Sequence, residues 1–281
     1  MEFISLYAGD FMADGGAVFG VVPKVMWEKR YQVDEKNFCK LTMRCLLVKH
    51  QNRVILVDTG AGMKQPQKYR DNNGLDDQDH LMISLEEKGI APTEITDVIL
   101  THLHWDHAGG NTYWDKDNQL QITFPNATYW VSKSQYENAV NPNRREASAY
   151  FKDDFEPLVN SKQLKLIDEE TTIYDKVELR LFNGHTPGMI IPIFHDEEET
   201  YLFTADLLPV AASLPVAWVA AYDLQPVVAM DEKEQFLKEI VEKGYYLFFE
   251  HDAYVECASV KWTGKHPEID QTFKLKPVPT P

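Results

Sequence analysis

Short apolar runs separated by turn-forming residues dominate this chain, and they predict strands. The runs fall at 41–49 (LTMRCLLVK), 53–58 (RVILVD), 97–101 (DVILT), 127–131 (ATYWV), 177–182 (VELRLF), 189–194 and 200–206. A helical spacing of apolar positions covers 76–88, 132–140 and 231–243. In the last of these Phe236, Leu237, Ile240 and Val241 share a face, Asp231 stands where an N-cap is wanted, and Gly244 supplies a stop. Strands and helices mix throughout, without the strict alternation of a doubly wound sheet. Two strands, RVILVDTG and TYLFTADLL, each end in an aspartate followed by a turn, which suggests two similar halves presenting acids at one edge. There is no low-complexity tract or solenoid repeat, and the tail from Lys276 (KPVPTP) is expected to fray.

Composition narrows the possibilities. A chain of 281 residues with 44% hydrophobic residues has enough material for a large core. The formal charge is −16, from 28 basic and 44 acidic side chains, which argues against nucleic acid as a partner because phosphate recognition relies on Lys and Arg. No apolar run approaches the length of a membrane span, and MEFISLYAGDFMADGG lacks the basic start of a secretory signal. Cys39, Cys45 and Cys257 form no CxxC, so buried free thiols in the cytoplasm are the expectation.

The densest chemistry lies in THLHWDHAGG, residues 101–110. Three of the nine histidines and an aspartate fall within six positions. The preceding VIL is strand material, so His102 and His104, two apart on an extended backbone, aim at a common point. Ala108-Gly109-Gly110 then gives the chain room to turn after Asp106 and His107. Imidazole and carboxylate are the ligands Zn²⁺ and its neighbours prefer. His50, His80, His195 and His266 are isolated and are expected in solvent, and Trp105 is expected to pack.

HLHWDH resembles the HxHxDH motif of the metallo-β-lactamase-fold hydrolases, and the other family signals follow in order. A DTG turn precedes it at Asp58, NGHTPG supplies His185, TADLL supplies Asp206, and FFEHD supplies His251. The resemblance implies an α+β fold, the αββα sandwich: two mixed β-sheets with outer helices and a metal site at one edge, in a single domain spanning 1–281. It implies two divalent ions, zinc above all. His102, His104 and His185 would hold one, Asp106, His107 and His251 the other, with Asp206 between them. Asp106 would orient a metal-bound hydroxide and later deliver a proton, Asp206 would share in the catalytic centre, and Asp58 and Thr101 would brace the ligands from behind.

DGGAVFGVVPKVMWEK (14–29) resembles the N-terminal stretch of the N-acyl-homoserine lactone lactonases and of the methyl parathion hydrolase-like enzymes. In those families a loop from this region walls the metal pocket. Phe19, Val21, Val25, Met26 and Trp27 would form such a wall, with Leu214, Trp218 and Tyr222 from 209–223 opposite. The resemblance therefore implies a quorum-quenching lactonase of the cytoplasm, opening an acyl lactone by metal-hydroxide attack on the ester carbonyl. The small-molecule lactone or ester is the expected partner, with neither membrane nor nucleic acid, while the 14–38 loop serves equally as a homodimer contact. One departure stands out: several lactonases carry a tyrosine three residues after the bridging aspartate, and here that position is Pro209. This keeps a phosphotriesterase or arylesterase as the alternative, with Tyr222 as a substitute hydroxyl. A non-catalytic metal-binding scaffold would show a missing ligand, and none is missing.

Overall fold

The β-branched and aromatic runs do form strands. The computed structural model describes residues 1–264 and 266–275, so the tail from Lys276 lies outside the described residues. The chain divides into two compact units. One comprises Met1–Asp10 and Met43–Glu169 with Leu275, the other Phe11–Thr42 and Glu170–Lys274. The strands Glu2–Asp14 and Phe38–His50 contribute residues to both.

In the first unit a six-stranded sheet runs in the order Glu2–Asp14, Phe38–His50, Arg53–Val57, Asp97–Ile99, Thr128–Ser132, Leu164–Ile167. Phe38–His50 pairs with Arg53–Val57 antiparallel, and the next three pairings are parallel, so the sheet is mixed. Leu47, Leu56, Val98, Tyr129 and Val131 from these strands pack with Phe124 and Phe155 in one buried cluster. Each such side chain contributes roughly 1.5–3 kcal/mol on burial, which fixes the register of the central strands.

In the second unit seven strands from Thr171–Ile173 to Pro267–Phe273 lie in sequence order across the sheet. All of the pairings are antiparallel except that between Thr200–Phe203 and Tyr246–Phe248. The long helix Pro226–Lys243 joins that parallel pair, as a crossover must. Phe236, Leu237 and Ile240 are its buried face.

Several expected boundaries move. The last helix starts at Pro226, five residues before Asp231, because proline fits the first turn and Asp231 lies inside rather than at the cap. Gly244 ends it in the left-handed conformation, φ 68°. The helix expected at 76–88 forms as His80–Glu87, since Asp79 caps it by accepting from Met82 N at 3.2 Å. Strand 200–206 stops at Phe203, and Ala205–Leu207 turns into a 3₁₀ helix. The strand Glu2–Asp14 lies outside the expected set, although Ile4, Leu6 and Phe11 on it are buried. None of the three cysteines is in a disulfide, and all three are buried. Among the described residues no helix is long and apolar enough to cross a membrane.

Candidate metal centre

The first unit builds a pocket of donors from two adjoining strand ends. Asp58 follows Arg53–Val57 at φ 55°, and the turn it opens is laced to the HLHWDH segment. Thr59 N and Thr59 Oγ1 both donate to the His107 carbonyl, at 2.7 and 3.0 Å, and Gly110 N donates to Gly60 O at 2.9 Å. Side chains at Gly109 and Gly110 would collide with this turn, a Cβ lying 2.1 Å from Ala61 O and 2.2 Å from Thr59 O. Only glycines allow the two loops to approach this closely. The short helix Trp105–Ala108 then carries Asp106 and His107, and Trp105 packs edge-on against Tyr69.

Asp58 is fully buried and accepts three hydrogen bonds. They come from Thr101 N at 2.7 Å, Thr101 Oγ1 at 2.6 Å and His107 Nδ1 at 3.0 Å. With its proton committed to Asp58, the Thr101 hydroxyl accepts from His102 Nδ1 at 3.0 Å. His104 donates from its other nitrogen, Nε2, to Glu146 at 3.4 Å. Glu146 is itself held by Asn138, Asn143 and Tyr150. These acceptors decide which nitrogen of each ring carries the proton. The lone pairs left over are Nε2 of His102, Nδ1 of His104 and Nε2 of His107. His102 Nε2 and His104 Nδ1 face one another at 2.9 Å, and His107 Nε2 stands 3.7 Å from Asp106 Oδ2.

The second unit repeats the device. His185 sits in the turn after Val177–Phe182, where Glu232 accepts from Asn183 N and Gly184 N at 2.8 and 2.9 Å. Its Nδ1 donates to Asp223 at 2.8 Å. His251 Nδ1 donates to the Thr42 carbonyl at 2.8 Å, and Phe11 packs edge-on against its ring. Asp206, one turn beyond Thr200–Phe203, stands between them. Its Oδ2 lies 3.2 Å from His185 Nε2 and its Oδ1 3.0 Å from His251 Nε2.

With the Nδ1 protons committed, those contacts set nitrogen lone pairs against carboxylate oxygens. Such pairs repel unless a positive charge intervenes. The same holds for the facing nitrogens of His102 and His104. Buried imidazoles and carboxylates so arranged fit a divalent cation of the zinc type.

The remaining expected residues are placed as follows. Phe19 and Trp27 are buried and stacked at 4.9 Å, with Trp218 edge-on to Phe19 at 6.0 Å, so these three form an aromatic core of the second unit. Leu214 is buried, whereas Val21, Val25 and Met26 are exposed. Tyr222 lies edge-on to His185 with ring centroids 5.8 Å apart, and Pro209 is buried. His50, expected in solvent, is buried at the end of its strand. His80 and His195 are half-buried beside Asp76 and Glu178 and sheltered by ring contacts with Tyr7 and Tyr245, and His266 is exposed. Asp223, Glu146 and the Thr42 carbonyl escape a reading of the sequence, because no motif surrounds them.

The strand-end donors belong to a known class. Residues 44–251 match the model of the metallo-beta-lactamase superfamily, and the chain belongs to that superfamily and carries its fold. Among curated relatives, the N-acyl homoserine lactonase AiiA of Bacillus thuringiensis subsp. kurstaki is 28% identical over 228 residues, 75% of this chain and 82% of its own length. A probable metal-dependent hydrolase from Staphylococcus aureus superposes with a TM-score of 0.89 at 27% identity, covering 99% of this chain and 98% of that one. AidC, a dizinc quorum-quenching lactonase solved with a product homoserine, superposes at 0.80 and 22% identity, covering 97% and 95%. At that identity the likeness speaks for the fold.

Proposed function

We propose that this protein is a dinuclear zinc hydrolase that opens the lactone ring of N-acyl-homoserine lactones. The chain would act as a single domain, with its seven donors serving one pair of ions. The observation that carries the reading is that all five imidazoles have one nitrogen tied to a protein acceptor and a lone pair turned away from it. Likeness to AiiA over three quarters of the chain supports the substrate class.

His102, His104 and His185 would hold one ion, and Asp106, His107 and His251 the other, with a carboxylate oxygen of Asp206 for each. When bound, such ions polarise the ester carbonyl and lower the pKa of water toward about 7. The chain supplies the rest. Asp106 takes a proton from the attacking water and returns it to the alkoxide oxygen released when the ring C–O bond breaks. Tyr222, beside His185, offers the hydroxyl that Pro209 lacks and donates to the carbonyl oxygen of the substrate. Asp58, Thr101, Glu146 and Asp223 keep the ligands from turning, so no reorganisation is needed during the reaction.

The buried proline favours one second reading, an arylesterase or phosphotriesterase that needs no tyrosine. The test is dialysis against a chelator, reloading with zinc, and assay on N-hexanoyl-homoserine lactone beside p-nitrophenyl phosphotriesters and esters. Zinc-dependent lactone opening at the higher kcat/KM is expected. Activity unchanged in the metal-free protein refutes the mechanism, and p-nitrophenol release without lactone opening replaces the substrate.

A further inference from the structure

The first unit contains a cavity of about 670 Å³ whose lining includes none of the seven donor residues. Its walls come from the cap of the helix His80–Glu87 and from the hairpin Thr112–Trp114/Leu120–Ile122. Asp79, Leu81, Met82, Met63, Tyr113 and Trp114 line it. A second cavity of about 530 Å³ shares Asp79, Met82 and Pro92 with the first and adds Glu86 and Glu94. Among the residues lining the two there are three carboxylates and no lysine, arginine or histidine.

Two features go beyond a hollow under a hairpin. Tyr113 and Trp114 are nearly half exposed at the rim, although aromatic rings of this size are normally covered. Asp79 is half-buried, and loss of solvent holds its carboxyl above the ordinary carboxylate range, with only Met82 N and nearby charges from His80 and Lys64 to offset it. Lys64 is committed elsewhere, to the carbonyls of Gly109 and Thr112 and to Asp154. An aromatic rim, thioethers and an under-compensated carboxylate are the elements that select an organic ammonium: charge to the carboxylate, methyl groups to the ring faces, the alkyl body to methionine and leucine.

We propose that this cavity is a binding site for alkylammonium ions, separate from the metal centre, with Asp79 as its charge partner and Trp114 and Tyr113 as its aromatic wall. The volume suits a ligand of drug-like size. The excess of negative charge on the whole chain, −16, raises the local concentration of such cations.

The test uses the full chain and three probes with the same alkyl body: hexyltrimethylammonium, 1-hexanol and hexanoate, titrated by calorimetry. The expected result is saturable binding of the cation, at least tenfold tighter than hexanol, with hexanoate weakest. Asp79→Asn removes the charge and keeps an N-cap acceptor, since asparagine caps as well as aspartate. It should therefore leave the melting temperature in place and abolish the preference for the cation. Trp114→Ala should weaken the cation more than hexanol. Equal binding of cation and alcohol, or an unchanged preference in Asp79→Asn, overturns the assignment. So does simple competition between hexyltrimethylammonium and the substrate turned over by the zinc-loaded protein, which would place the amphiphile in the metal pocket. Failure of the lactonase assay leaves this site standing, because calorimetry on the Asp79 variant does not depend on catalysis.

Discussion

Replacing Asp223 with asparagine isolates what an orienting acceptor contributes to His185, a proposed metal ligand. Asp223 is buried and accepts twice, from His185 Nδ1 at 2.8 Å through one oxygen and from Ala220 N at 3.0 Å through the other. An amide of the same size offers one acceptor and one donor. Whichever way it turns, its NH₂ confronts one of those two N–H groups. If it faces Ala220, a backbone donor is left unpaired. If it faces His185, the ring must move its proton to Nε2, the atom that stands against Asp206. Losing one bond to a buried charged acceptor costs about 1.5–3 kcal/mol of stability. For a chain of this size that is a fall in melting temperature of about 2–4 °C per kcal/mol. Loss of the partner behind a metal-ligating histidine typically weakens the ion about 10–100-fold, or about 1.4–2.7 kcal/mol. The assay is competition for zinc between the metal-free protein and a chromophoric chelator, with Asp231→Asn on the exposed face of the neighbouring helix as control. A lowered melting temperature with zinc affinity within twofold of the wild type refutes the reasoning, because Asp223 would then brace only its own loop.

Other outcomes follow from the same geometry. Glu146→Gln should weaken zinc less than the Asp223 variant, by several-fold, since its bond to His104 is longer at 3.4 Å; the same competition assay measures it. Asp58→Ala removes three buried hydrogen bonds and places alanine at φ 55°, so unfolding in urea should show a loss of roughly 3 kcal/mol or more. Lys233 is buried, donates to the carbonyls of Ser213 and Trp218 at 2.9 and 2.6 Å, and is drawn down by burial to about 7. Between pH 7 and about 9.5 the unfolded chain holds a proton that the folded chain releases, so this group makes stability rise with pH. Urea midpoints across that range should flatten in Lys233→Met.

The candidate donors stand out in the sequence because four fall within six residues and the others lie singly at the ends of apolar strands. The strands themselves were legible wherever burial on one or both faces wrote an apolar run. The holders were not. Asp223 reaches His185 across 38 positions, Glu146 reaches His104 across 42, and the Thr42 carbonyl reaches His251 across 209. A carboxylate or carbonyl becomes a partner only through the folded path of the chain, and no local pattern records it. The same holds for Phe19 and Trp27, whose apolar character suits a pocket wall as well as a core. It is the stacking with each other and the edge contact to Trp218 that make them core. The start of the helix at Pro226 is a matter of local signals in competition, a proline at the first turn against an aspartate five residues on.

The proposed pair of ions requires His102 and His185 to serve the same ion. Zinc titration of the metal-free protein, compared among wild type, His102→Ala, His185→Ala and the double variant, tests it most directly. The account predicts two equivalents in the wild type. Each single variant should lose most of the affinity for the shared ion, and the double variant should lose little more, because either change already opens that ion's shell. Strictly additive losses, or full affinity for both ions retained in either single variant, would contradict it.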